Sequence, residues 1–211
     1  MSQMAHEGKL ENALPFFRII EKYVICSIAC SYSIHDLERA KRRIFVPNTF
    51  IDWDFLNNPY LVAFRMLMDM FHVHRAKAEP VIPMDQKVDF YFDDQTEKKK
   101  IITAWDGYIK ERPLETRNYF GNAPRFENDM EYLPLQASDL WAWWVRKWVI
   151  EGRPEKMDQP NFGPWKSERS KHPKIHISFT EDQVVGNIIK IMRPMLRSEV
   201  VIYDIKFSFL I

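Results

Sequence analysis

The sequence predicts an α/β domain with a mixed sheet flanked by helices. Three observations carry this. Residues 23–33, 87–93 and 199–210 alternate apolar and polar side chains with the period of two that a strand imposes. Between them, residues 9–22, 58–77, 95–111, 134–151 and 181–198 carry apolar residues at helical spacing. Strands interleaved with helices of this length build α/β domains. The 211 residues make one ordinary domain, and 46% hydrophobic with 28% charged residues can bury a core, which excludes a disordered chain.

Taken in order, Leu10, Ala13, Leu14, Phe17 and Ile20 line one face of the first helix, with Pro15 as a kink or a first-turn residue. Val24, Cys26, Ile28, Cys30 and Tyr32 share one face of the first strand, and Ser27, Ser31 and Ser33 make the other face polar. A short charged helix follows near 34–43. Asn58-Pro59 reads as cap and first position of a helix to about Lys77, with Tyr60, Phe64, Leu67, Met68 and Phe71 as its buried stripe. In the second strand Val88, Phe90 and Phe92 face one way and Asp89, Tyr91 and Asp93 the other. Residues 124–130 form a short strand, and Pro134 opens a helix to about Glu151. Four prolines loosen 153–174. Thr180 and Gln183 form a capping box for the last helix, which Pro194 bends, and 199–210 is a terminal strand.

Thirty Lys and Arg nearly cancel 29 Asp and Glu, so global charge implies neither a nucleic-acid sponge nor a membrane-surface protein. The six glycines are too scattered for a dinucleotide fingerprint or a phosphate loop. The two cysteines, Cys26 and Cys30, read as small buried hydrophobes in a reducing compartment. No signal-peptide layout and no stretch of about 18 uncharged apolar residues is present. The expected location is therefore cytoplasmic, without a membrane partner.

No GxSxG, HExxH or EF-hand motif occurs. His72 and His74 are two apart on a helix and point to different sides, which disfavours a shared metal. His172 and His176 read as surface residues. The carboxylates are more informative. Asp94-x-x-Glu97 is a capping box in pattern, which accounts for Asp94 but not for Asp93, an acid at a strand end where α/β folds gather ligands. In LPLQASDLWAWW, Gln136 and Asp139 share a helix face beside Leu140, Trp141, Trp144 and Trp148. Asp139 there has two readings, a helix-dipole residue or a functional acid. Two aspartates from separate elements are candidate ligands for Mg²⁺ or Mn²⁺, which would suit phosphodiester hydrolysis, although such sites ordinarily use more carboxylates.

VDFYFDDQ followed by EYLPLQASDLWAWWVRKW resembles the bacterial and archaeal family known as domain of unknown function 3800. That family combines an apolar strand ending F-D-E/D-Q with a later P-L-Q-A-A-D-L helix; Ser138 replaces the usual second alanine here. The likeness extends upstream through LPFFRIIEKYVICSIACSYSIHDLERA and covers roughly residues 10–150. It implies a ribonuclease H-like fold and a metal-dependent nuclease site, with Asp93 as the middle acid and Asp139 with Gln136 as the late helix motif. Members of the family resemble parts of mobile elements or anti-phage defence systems. This chain lacks the family's opening I-D-E-S-G strand and its acids, so the resemblance implies a chain truncated at its N-terminus.

The domain expectation is 1–152 as the incomplete ribonuclease H-like domain and 153–211 as a basic, proline-rich loop and C-terminal extension packed on it. Trp165, Lys166, Arg169 and Lys171 are candidate nucleic-acid contacts, since cations track phosphates and aromatic rings stack on bases; a solvated loop is the competing reading. Two functions follow. One is a divalent-metal nuclease, or its inactive remnant, with Asp93 and Asp139 as ligands and Gln136 orienting. The other is a non-catalytic binding or scaffold protein, acting as a homodimer or with a partner chain that supplies the missing strands.

Overall fold

The computed structural model of the chain describes residues 12, 14–45, 56–152, 161–162, 165–166, 174–192 and 201–202. The chain divides into two compact units that alternate along the sequence. The first comprises Met1–Ala29 and Phe71–His176, the second Cys30–Met70 and Ile177–Ile211.

In the first unit, helix α1 (Leu14–Tyr23) carries Pro15 in its first turn, where the missing N–H costs nothing. Its Phe17 and Ile20 pack with Ala137, Leu140, Trp144, Val145 and Trp148 of helix α7 (Leu133–Ile150). These α7 positions follow helical spacing, so one stripe is buried while Ser138 and Asp139 are exposed. Short strand β3 (Tyr91–Asp93) pairs in parallel with β4 (Arg125–Glu127), and an isolated parallel bridge joins Val88 to Phe120. Phe71, Phe90, Trp105, Tyr108 and Phe120 form an aromatic cluster centred on Phe120, with ring centroids 5.4–6.0 Å from it. Trp105 and Tyr108 come from α5 (Lys98–Lys110). Helix α4 (Arg75–Ala78) contributes a buried guanidinium, and α6 (Leu114–Arg117) leads into the Phe120 turn.

In the second unit, Ser33 caps α2 (Ile34–Arg43) by accepting from the His35 amide at 3.1 Å. Asp36 in the first turn and Lys41, Arg42 and Arg43 in the last complement the helix dipole. Asn58 caps α3 (Pro59–Val73), its Oδ1 accepting from the Tyr60 amide. Helix α8 (Glu181–Met192) begins with the predicted capping box, Thr180 N donating to Gln183 Oε1 and Gln183 N to Thr180 Oγ1. Leu37, Ala40, Val62, Met66, Val184, Val185 and Ile188 form this unit's core.

Arg43, 8% exposed, reaches Glu181 at 2.9 Å and Asp182 at 2.7 Å, and Arg39 also holds Glu181. These bonds, Arg39's first, hold the Glu181 carboxyl below its usual value. The stability they contribute is fully present above the unfolded glutamate value, about 4.3, and is lost as pH falls through the lowered folded value. Glu181→Gln is expected to cost about 1 kcal/mol at neutral pH. It should also flatten the acid limb of a plot of urea midpoint against pH.

The remaining strands are β1 (Ser27–Tyr32) paired with β7 (Lys174–Phe179), and β2 (Ile44–Phe45) antiparallel to β8 (Val201–Ile202). A hairpin joins β5 (Asn161–Phe162) to β6 (Trp165–Lys166). The α/β character is thus as predicted, but the described strands pair two by two rather than in one mixed sheet. Four further expectations are corrected. Every residue of β1 is half-buried, so the face that carries Ser27 and Ser31 is not open to solvent. The third helix is interrupted at His74 and buries Leu61, Val62, Met66 and Met70 beyond the predicted stripe, while Tyr60 is 40% exposed. The 87–93 strand shortens to three residues, because Val88 bridges to the Phe120 turn and not to β4. The Asp94–Glu97 capping box does not form: α5 begins at Lys98 with no side-chain cap, and Asp94 and Glu97 instead pair with Lys98 and Lys100. The expected bend at Pro194 and strand residues 203–210 lie outside the described residues.

Candidate functional site

The end of β3 gathers the features that chemistry would need. Phe90 lies within the aromatic cluster, and Phe92 stacks on Phe126 of β4 at 5.9 Å. The opposite face carries Asp89, Tyr91 and Asp93, as the alternation predicts, yet these three have different fates. Asp89 is committed to structure: its Oδ1 accepts from the Asn122 backbone N–H at 2.8 Å and from Asn122 Nδ2 at 3.3 Å. Gly121 makes this possible, since a Cβ there would sit 2.0 Å from the same oxygen. Tyr91 stacks on Tyr132 with centroids 5.0 Å apart and accepts from Arg125 Nη1. Asp93 is exposed at the strand end.

The parallel register sets Asp93 opposite Glu127, and the Asp94 amide donates to the Glu127 carbonyl at 2.9 Å. Two carboxylates therefore stand on adjacent strand ends, where a parallel α/β arrangement presents ligands. Helix α7 lies against β3. The turn leading into it is ordered by Asn128. Its Oδ1 accepts from the Met130 amide, and its carbonyl accepts from the Glu131 and Tyr132 amides. Gln136 Nε2 donates back to the Asp129 carbonyl at 2.8 Å, so its amide fastens the turn to the helix. Asp139 is exposed one turn further on, away from the buried tryptophans. The Tyr132 hydroxyl is pushed up by lost hydration and by its bond to Tyr91, with Glu127 adding to the shift and Arg125 opposing it.

The structure thus brings Asp93 onto the strand that α7 packs against, the helix bearing Gln136 and Asp139. It gives Gln136 a structural bond that the sequence did not reveal. Sequence reasoning missed Glu127 and the Tyr91–Tyr132 pair. Glu127 lies inside a segment read as a strand, but nothing local encodes which residue a parallel partner will face. Among the described residues no group of three or more His, Cys, Asp or Glu side chains is gathered to hold a metal. The donor chemistry at Asp93 and Glu127 suits a hard cation, but the number is short, so the described residues do not form a metal centre by themselves.

Burial, then Lys77, lowers the His74 value, and the ring of His72 lies 6.4 Å from that of Tyr119. Both cysteines are free and half-buried, and burial raises them, Cys30 to about 11. A thiol held protonated is a poor nucleophile. Trp165 and Lys166 lie in the β6 hairpin strand, whereas Arg169, Lys171 and His172 fall outside the described residues. No helix among the described residues is long and apolar enough to cross a membrane. Comparison with family models, curated proteins and solved structures gave no match to the chain.

Proposed function

We propose that the chain is a ribonuclease H-like protein acting on nucleic-acid phosphodiesters, with Asp93 and Asp139 as two acids of a Mg²⁺- or Mn²⁺-dependent nuclease site. The observation that supports this reading is the strand-end pair of Asp93 and Glu127 on parallel strands, packed against the helix that carries Asp139. The resemblance to the domain of unknown function 3800 family points the same way. A bound divalent ion would supply charge stabilisation for the leaving and attacking oxygens. This chain's own residues position: Gln136 orders the turn before α7, and Asp89 fixes the segment before β3. Because the described carboxylates are too few, the reading requires further ligands, from elsewhere in the chain or from a partner. Basic residues of 153–174, Lys166, Arg169 and Lys171 with Trp165, would track the substrate backbone.

The test is cleavage of labelled single- and double-stranded DNA and RNA with Mg²⁺, Mn²⁺ or a chelator. Metal-dependent cleavage is expected, with Asp139→Asn and Asp93→Asn each lowering the rate at least about a hundredfold while the thermal midpoint is kept. Cleavage that survives both substitutions would overturn the assignment of the acids. Absence of metal-dependent cleavage in all four substrates would leave the non-catalytic binding or scaffold reading.

A further inference from the structure

The turn between β4 and α7 combines three properties. It is apolar and exposed: Met130 is 76% exposed and Leu133 49%. Among the exposed hydrophobics of the described residues Val73 and Leu114 stand alone and Tyr23 and Ile25 form a second close pair; Met130 and Leu133 flank Tyr132 within four residues. It is also ordered, by the Asn128 side chain and carbonyl, the Gln136 bond to Asp129 and the Tyr132 stack on Tyr91. Holding apolar side chains in water on a rigid turn gains nothing for the fold, but it lowers the ordering cost of docking. Its charge is also one-sided: Asp129 and Glu131 flank Met130, and the basic residue on β4, Arg125, is turned onto the Tyr91 ring and hydroxyl.

We propose that this turn is a docking surface for a basic peptide segment of a partner protein, with aliphatic side chains seated on Met130 and Leu133 and Arg or Lys side chains facing Asp129 and Glu131. Charge complementarity selects this occupant. A nucleic-acid strand would set its phosphates against the two carboxylates of the turn, and an acidic or purely apolar segment would leave the acidic rim uncompensated. The surface is independent of cleavage and stands whether or not the nuclease reading holds.

The test uses the full chain and fluorescence anisotropy with three labelled probes: a peptide alternating Arg with Leu, the same peptide with Glu for Arg, and a single-stranded oligonucleotide. The Arg-Leu peptide should bind and the Glu-Leu peptide should not. Met130→Ser with Leu133→Ser should weaken binding about tenfold or more, since both apolar anchors are lost. Glu131→Lys should weaken it severalfold and reduce its salt dependence. Both positions are exposed, so circular dichroism and thermal midpoint should be unchanged. Equal binding by the variants, or no binding of the Arg-Leu peptide by the unaltered chain, would overturn the proposal. Oligonucleotide binding lost in the Met130/Leu133 variant would also overturn it, making the turn a nucleic-acid surface.

Discussion

Phe120→Ala should lower the unfolding free energy by about 3–5 kcal/mol, enough to remove a large share of the stability of a domain this size. Phe120 is 2% exposed, and four rings surround it: Phe71 at 5.4 Å, Phe90 at 6.0 Å, Trp105 at 5.7 Å and Tyr108 at 5.6 Å. Three of these contacts are edge-on, the arrangement that the ring quadrupole favours. The four neighbours come from α3, the segment before β3 and α5, so no single element can collapse into the space left behind. Urea denaturation followed by tryptophan fluorescence measures the effect. Phe120→Leu should retain about half of the stability, because it keeps most of the volume but none of the ring geometry. A loss below about 1 kcal/mol for Phe120→Ala would mean that the cluster is not packed as described.

The second large effect is expected at Arg75, which is 1% exposed. Its Nη1 donates to the Ile82 carbonyl at 2.5 Å, and its Nη2 donates to the carbonyls of Pro83 and Gln86 at 2.5 and 3.2 Å. The guanidinium also lies near the rings of Phe71 and Tyr119. The segment from the end of α4 to the approach to β3 is thereby fastened to one cation. Arg75→Ala leaves three carbonyls without this donor and should cost about 3–5 kcal/mol. Arg75→Lys keeps the charge but cannot fork to three acceptors, and should recover less than half. Arg75→Met tests whether side-chain volume alone suffices; stability equal to the unaltered chain would sink the account. Denaturant midpoints for the three variants, compared at one pH, decide it.

What the sequence by itself determined was local. Ser33, Asn58 and the Thr180–Gln183 box start helices through bonds that span two or three residues, and the buried stripe of α7 follows from its own spacing. The alternation of 87–93 placed Asp89, Tyr91 and Asp93 on one face, and the structure keeps them there. The same kind of local pattern misled at Asp94 and Glu97, whose side chains pair with nearby lysines instead of capping the helix. Only the tertiary structure decided how the strands pair, because register joins residues far apart and leaves no mark in either segment. For the same reason Glu127 beside Asp93, Gln136 bonded to the Asp129 carbonyl, and Arg75 holding three carbonyls were invisible in the chain. Each depends on a partner at a distance that composition and periodicity do not encode. A spacing pattern predicts which way a side chain points, and the fold decides what it meets.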